Sequence, residues 1–384
     1  MIMRTVYFIA VSFALGLIGC VEQTTDKTFI KSAVASPNTS AKVDRPLAKY
    51  EPEDGKVLVF IGQEISALGG LEEYNDGYLD HFKERPAGFT SYSFLTPGDT
   101  TFGFVHKGLD GIYSSDNWGD SVYNASLQLA DSDYDNMMLA IGLGMVNHET
   151  KVANGEHDEM IIELGKFIKS IAPRPVFLRV GYEFDGHLWN HYKREDYLKA
   201  YRRVKDVLDK ENVENVAYVW QSTGFVSTPG QLEDWYPGDE YVDWCGFSFF
   251  ARWREQEMIE FARAKGKPVF IAEASPTVSG PFMKFDNQTL PMDLNNEDEA
   301  QLAWNEWFVP FFDTIEKNDD VVKAFSYINC NWKSHPMWFD NPTFKLVDAR
   351  LQVNKNLKKK WEAKLQDKRY IMSSEDLYKK YTVK

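Results

Sequence analysis

Cysteine is nearly absent from this chain, with Cys20, Cys245 and Cys330 as the whole complement. Cys245 and Cys330 fall in two different strand-like runs, so they read as buried thiols rather than as a disulfide framework or a metal site. Histidine is sparse as well. His106, His148, His187, His191 and His335 follow no metal-ligand spacing, so neither a catalytic metal nor a cofactor is expected. Positive charge is in deficit. Lys and Arg number 43 against 57 Asp and Glu, and the formal charge of −14 argues against nucleic acid as a partner. Beyond the N-terminus no apolar run approaches membrane-spanning length. No Gly-rich phosphate loop follows the first strand-like run, where Gly62-Gln63-Glu64-Ile65 stands instead, and no serine nucleophile elbow is visible.

The N-terminus is the first positive signal. Arg4 precedes an apolar run from Val6 to Leu17, which has the form of an export signal and is short for a membrane span. Its end, Leu17-Ile18-Gly19-Cys20, resembles the lipobox of bacterial lipoproteins. That resemblance implies a signal peptide over 1–19, acylation of Cys20, and a chain held at the bacterial outer membrane or cell surface, facing periplasm or exterior. Residues 20–50, rich in Thr, Ser, Lys, Pro and Ala without periodicity, read as a flexible tether.

With 43% hydrophobic and 15% aromatic residues, the remainder can bury one large core. Strand-like runs recur eight times: 56–62, 89–94, 136–145, 174–183, 216–222, 242–250, 267–274 and 322–330. Amphipathic segments at 195–211, 255–265 and 298–317 lie between the later ones, with apolar residues three and four apart. Such alternation implies a parallel sheet covered by helices, and eight units imply closure into a (β/α)8 barrel over 51–365, followed by a C-terminal tail at 366–384. A doubly wound open sheet is the structural alternative.

A barrel of this kind carries its chemistry at the C-terminal ends of the strands. Two carboxyls stand there: Glu183 closes the fourth run and Glu273 the seventh. A carboxylate after an apolar strand is costly to bury and needs a partner or a task. Two of them facing across one mouth are what glycoside hydrolysis uses, one protonated to assist the leaving group and one ionised to attack the anomeric carbon. Around Glu183 the segment Arg179-Val180-Gly181-Tyr182-Glu183-Phe184-Asp185-Gly186, followed by Trp189, resembles the strand-four motif of family 26 glycoside hydrolases, a clan A family of mannanases and β-1,3-xylanases. The run from Trp235 to Phe247 resembles the same family's approach to strand six, and Ile271-Ala272-Glu273-Ala274-Ser275 resembles its strand-seven nucleophile. The resemblance implies a retaining, endo-acting, monomeric hydrolase of a polysaccharide, with Glu183 as acid/base and Glu273 as nucleophile. Tyr182 stands where the family has His, Asp185 where it has Asn, and Phe250 where the clan often has Tyr, so this is a divergent member or a sister family.

The expected substrate contacts are Arg179, Tyr182, His187 and a set of indoles near strand ends, Trp118, Trp189, Trp220, Trp253 and Trp332, since sugar faces stack on aromatic rings. Arg179 is equally open to a structural ion pair or to positioning Glu273. A local basic group, Arg252 and Arg254 after strand six, Lys333 and His335 after strand eight, and Lys107 in the second loop, opens a second assignment: a hydrolase for sulfated or otherwise anionic algal polysaccharide. A third is a non-catalytic carbohydrate-binding surface lipoprotein.

Overall fold

The computed structural model describes residues 45–101, 103–250, 255–277 and 292–382. The segment expected to be a signal peptide and Cys20 lie outside them, as do Arg252, Trp253 and Arg254. The alternating pattern becomes eight parallel strands: β1 (Val57–Gly62), β2 (Gly88–Phe94), β3 (Met138–Gly144), β4 (Val176–Val180), β5 (Val216–Ser222), β6 (Trp244–Phe249), β7 (Val269–Ala274) and β8 (Val322–Ile328). They hydrogen-bond in sequence order, and β8 returns to pair with β1, with Leu58 opposite Ala324 and Gly62 opposite Ile328. Closure leaves no exposed sheet edge, and the fold is the (β/α)8 barrel rather than the open sheet.

Every position of these strands is buried because the two sides of each strand enter different cores. On β1, Val57, Val59 and Ile61 face the helices, whereas Leu58 and Phe60 face the barrel axis. The axis is filled by aromatic rings: Phe60 lies 5.5 Å from Phe177 and 5.0 Å from Phe270, and Trp244 lies 5.2 Å from Phe177. This apolar plug is a floor, and polar residues can appear only above it.

The helices follow the three-and-four spacing. α1 (Asp158–Ser170) buries Ile161, Leu164, Phe167 and Ile168, and α2 (Arg194–Lys210) buries Tyr197, Ala200, Tyr201, Val204 and Leu208. α3 (Glu255–Lys265) has the expected bounds. The segment 298–317 is interrupted: a helix over Glu297–Ala303 passes through a widened turn at Trp304–Phe308 before α4 (Val309–Lys317). Pro310 sits in the first turn of α4, where a missing N–H is tolerated. α5 (Lys355–Leu365) completes the outer layer and buries Trp361 against Phe325 and Tyr327.

The limits expected for the barrel prove too narrow at both ends. Tyr50 is 5% exposed, and the Trp244 indole donates to the Lys49 carbonyl at 2.8 Å, so these two residues pack with the barrel although they fall within the expected tether. The supposed tail also belongs to the fold. Tyr370–Ile371 pairs in parallel with Val57 and Leu58 of β1, and a short helix, Leu377–Thr382, sets the fully buried Leu377 beneath the aromatic plug. Leu377→Ala should therefore cost about 3 kcal/mol of stability by opening a cavity in the barrel floor. Urea unfolding measures this, and an unchanged midpoint would return the segment to the status of a tail.

Candidate active site

Above the aromatic floor, two neighbouring strands carry a polar residue two places after an inward apolar one. On β4 this is Arg179 after Phe177, and on β5 it is Gln221 after Val219. Arg179 has no exposed surface. Its guanidinium donates to Glu273 Oε1 at 2.8 Å and to Gln221 Oε1 at 3.0 Å, and it lies 4.7 Å from the Tyr92 ring and 5.4 Å from the Tyr182 ring. Room for it comes from Gly142, where a methyl group would stand 2.5 Å from Tyr92 and 2.7 Å from the guanidinium. Arg179 is thus buried against Glu273 as its ion-pair partner, and this burial runs against the expected direct contact with substrate.

Glu273 reaches the mouth by an irregularity. Phe270 and Ala272 face the axis, so strict alternation would turn Glu273 outward. A register shift against β6, which pairs Phe247 with Ile271 but Ser248 with Glu273, turns it inward instead. Glu183 also departs from strand geometry. β4 ends at Val180, and both Gly181 (φ 53°) and Glu183 (φ 52°) are left-handed, a conformation that is uncommon for a residue with a side chain. Asn190 holds this turn by donating to the Tyr182 and Glu183 carbonyls, each at 2.8 Å, while Phe184 is pinned beneath it. The common side of Arg179 and Glu183 therefore comes from the turn, not from continued strand alternation.

The two carboxyls meet through two neutral side chains. Gln221 Nε2 donates to Glu273 Oε1 at 3.3 Å and to Ser248 Oγ at 3.0 Å, and Ser248 Oγ donates to Glu183 Oε1 at 2.6 Å. The other oxygen of Glu183 accepts the Trp189 indole N–H at 2.9 Å. Gly186 makes that contact possible, since a methyl group there would stand 2.5 Å from the indole ring. Burial first, and then the negative charge of Glu273, push the Glu183 carboxyl well above its ordinary value; the hydroxyl of Ser248 and the guanidinium act in the opposite sense. Asp185, one position past Phe184, is buried too, and desolvation raises its carboxyl. It accepts from Ser222 Oγ at 2.6 Å, from the Thr223 amide at 2.7 Å and from Gln231 at 3.0 Å, so it ties the turn to the end of β5.

The aromatic expectations divide. Tyr182 and Trp189 are half-buried at the mouth, and His187 is exposed on the same loop. Trp220 is wrongly expected as a sugar platform: its even position on β5 turns it outward, where it has no exposed surface and stacks on Phe184 at 4.5 Å. Its task is to support the turn that carries Glu183. Trp118 and Trp332 are only 5% and 3% exposed. Trp118 packs against Tyr123 at 4.5 Å with its N–H on Asp116, and Trp332 packs against Phe344 at 4.7 Å, so both are walls of the mouth rather than open platforms. Of the basic group, Lys333 is paired with Asp293. Gln221 and Ser248 escaped the sequence reading; the signal was a polar residue inside an otherwise apolar strand. Cys245 and Cys330 are buried and are not joined in a disulfide.

Removing the guanidinium leaves a buried carboxylate without its cation, and Arg179→Met should cost about 3–5 kcal/mol. Adding Glu273→Gln should recover a large part of that loss, because no charge is then stranded. Denaturant midpoints of the two single variants and the double variant test the coupling; strict additivity would dissolve it.

Comparison with known proteins agrees with this geometry. The model of a family described as glycosyl hydrolase family 26 matches residues 144–307. A β-1,3-xylanase, TXYA, of a Vibrio species is 34% identical over 351 residues, covering 86% of this chain and 69% of that protein. A β-1,3-xylanase of an Alcaligenes species is 34% identical over 349 residues, with coverage of 86% and 68%. Among solved structures, a family 26 β-mannanase from Bacteroides ovatus shares the fold with a TM-score of 0.54 at 15% identity, covering 84% of this chain and 93% of its own. A closed parallel barrel and relatives of this identity and extent lead to one conclusion: the chain belongs to glycosyl hydrolase family 26 and is a glycoside hydrolase.

Proposed function

We propose that this enzyme hydrolyses a neutral β-1,3-xylan-type polysaccharide internally and with retention of configuration, using Glu183 as acid/base and Glu273 as nucleophile. The observation that carries the assignment is the contrast between the two carboxyls. Glu273 is ion-paired with Arg179, whereas Glu183 is met by the neutral donors Ser248 and Trp189 and is pushed towards its protonated form. The class of substrate rests on the two β-1,3-xylanases that resemble the chain over most of its length. A neutral glycan fits better than a sulfated one, because Lys333, one of the cations expected to meet a sulfate, is paired with Asp293.

In the first step a carboxylate oxygen of Glu273 attacks the anomeric carbon. The glycosidic C–O bond breaks, and its oxygen takes the proton of Glu183 as the leaving sugar departs. Esterification removes the negative charge of Glu273, and with it one cause of the raised Glu183 value. Glu183, now a carboxylate, accepts a proton from water. The water oxygen attacks the anomeric carbon, the ester bond breaks, and Glu273 returns as carboxylate. Tyr182, His187 and Trp189 are assigned contacts with the sugars, a reading supported by their partial or full exposure on the loop after β4, and the Trp189 indole also donates to the acid/base; Arg252 and Trp253 are assigned sugar contacts from the sequence alone. The enzyme acts as a monomer anchored through acylated Cys20 at the outer membrane or cell surface.

Because the Glu183 value is raised, kcat/KM on the polymer should fall at high pH as the acid loses its proton. The sign for stability is the same: a carboxyl raised by folding stabilises fully below its unfolded value, and that contribution is lost as pH rises through the folded value. Glu183→Gln should accordingly be more stable than wild type at neutral pH and lack the alkaline limb on an aryl xyloside with a good leaving group. A surviving limb would remove Glu183 as the acid.

The two roles separate further in truncations. Glu273→Ala should abolish turnover of every substrate, with azide giving an inverted glycosyl azide. Glu183→Ala should be mild on the activated aryl glycoside and severe on the polymer, with azide giving a retained product. Exchanged patterns would exchange the roles, and reducing-end release from sulfated but not neutral xylan would overturn the substrate.

A further inference from the structure

Three residues from the two ends of the barrel sequence converge where the barrel closes. Glu64 follows β1, whereas Cys330 and His335 follow β8, and β1 and β8 form the closing seam. All three side chains are buried, and one ligand atom from each lies within 4.8 Å of the others. Cys330 Sγ is 3.2 Å from Glu64 Oε1 and 3.6 Å from His335 Nδ1, and His335 Nε2 is 3.3 Å from the same Glu64 oxygen. Tetrahedral coordination at the usual Zn–O, Zn–N and Zn–S lengths places neighbouring ligand atoms about 3.3–3.6 Å apart. A modest turn of the imidazole, bringing one nitrogen to face both partners, suffices to match it.

We propose that Glu64, Cys330 and His335 bind a thiophilic divalent cation of the zinc class, which ties the ends of β1 and β8 together. The donor set selects the metal: a thiolate and an imidazole favour zinc over magnesium or calcium, whose preferred ligands are oxygens. Charge also favours it. A carboxylate and a thiolate neutralise a dication, so the loaded site is neutral where an isolated buried charge would be costly. The thiol proton passes to solvent as the metal–sulfur bond forms. Ser66 Oγ at 2.8 Å and Ser121 Oγ donate to the Glu64 carboxyl and fix its orientation from behind. Glu64 and His335 also line a cavity of about 250 Å³, from which water can supply the fourth ligand.

The test uses the full chain after chelator treatment, titrated with Co2+ followed by absorption and with Zn2+ followed by calorimetry. The expected result is one ion per chain and a near-ultraviolet thiolate-to-cobalt band. Cys330→Ser, which keeps a donor for Glu64, should lose the band and bind Zn2+ at least ~100-fold more weakly, beyond what loss of a hydrogen-bond partner behind a ligand costs. Cys245→Ser should keep both. Equimolar Zn2+ should raise the Tm of wild type but not of Cys330→Ser, and His335→Gln gives the same comparison should Cys330→Ser fail to fold. Absence of the cobalt band in wild type, or its survival in Cys330→Ser or His335→Gln, would overturn the site.

Discussion

A guanidinium without exposed surface sits directly beneath the mouth of the barrel and holds one carboxylate at 2.8 Å. Isolated buried charges are too costly to survive in a folded chain, so Arg179 and Glu273 have to be brought together, and much of the local structure is a consequence of that need. Gly142 clears the space, the rings of Tyr92 and Tyr182 cover the faces of the cation, and Gln221 takes a further N–H. The register shift beside Ser248 turns Glu273 inward to meet the cation. The aromatic plug below excludes water from that side, so a partner for the carboxylate has to come from the protein.

The pair also separates two chemically identical side chains. Glu273 has the cation; Glu183, reached only through Ser248 and Gln221, feels the negative charge of Glu273 more strongly than the guanidinium behind it. Burial is the first cause that pushes Glu183 towards protonation, and the negative charge of Glu273 adds to it. The turn after β4 preserves that difference by lifting Glu183 away from Arg179, and it does so through a left-handed residue, backbone hydrogen bonds to Asn190, and the packing of Phe184 on Trp220.

Periodicity in the sequence was sufficient for the eight strands, the principal helices and the two acidic strand ends, because each rests on a repeating pattern of burial. What it could not supply were the breaks in that pattern. Glu273 faces inward only through a bulge, Glu183 lies past the end of its strand, and Trp220 faces outward by a single-residue change of parity. Proximity to a strand end was therefore a poor guide to which indoles meet solvent: Trp118 and Trp332 are buried beside the same mouth where Trp189 is half-buried. The chain ends posed a different difficulty. Tyr370–Ile371 and Leu377 are recognisable as structural only once β1 and the barrel floor exist for them to cover. Glu64 and Cys330, 266 positions apart, become neighbours only because the barrel closes.

Closure thus does more than satisfy backbone hydrogen bonds, for it joins the seam to the mouth. Ser121 touches both Glu64 and, at 2.8 Å, the hydroxyl of Tyr123. The Tyr123 ring lies 5.3 Å from Tyr92, which in turn covers the guanidinium that holds Glu273. Every member of that series is buried. On the side away from its cavity, Glu64 is joined to the ring against Arg179 by packed side chains, and close-packed interiors transmit strain. The long second loop, which contributes Ser121, Tyr123 and Trp118, is thereby held between the closing strands and the ion pair, and the position of Glu273 depends on the integrity of both.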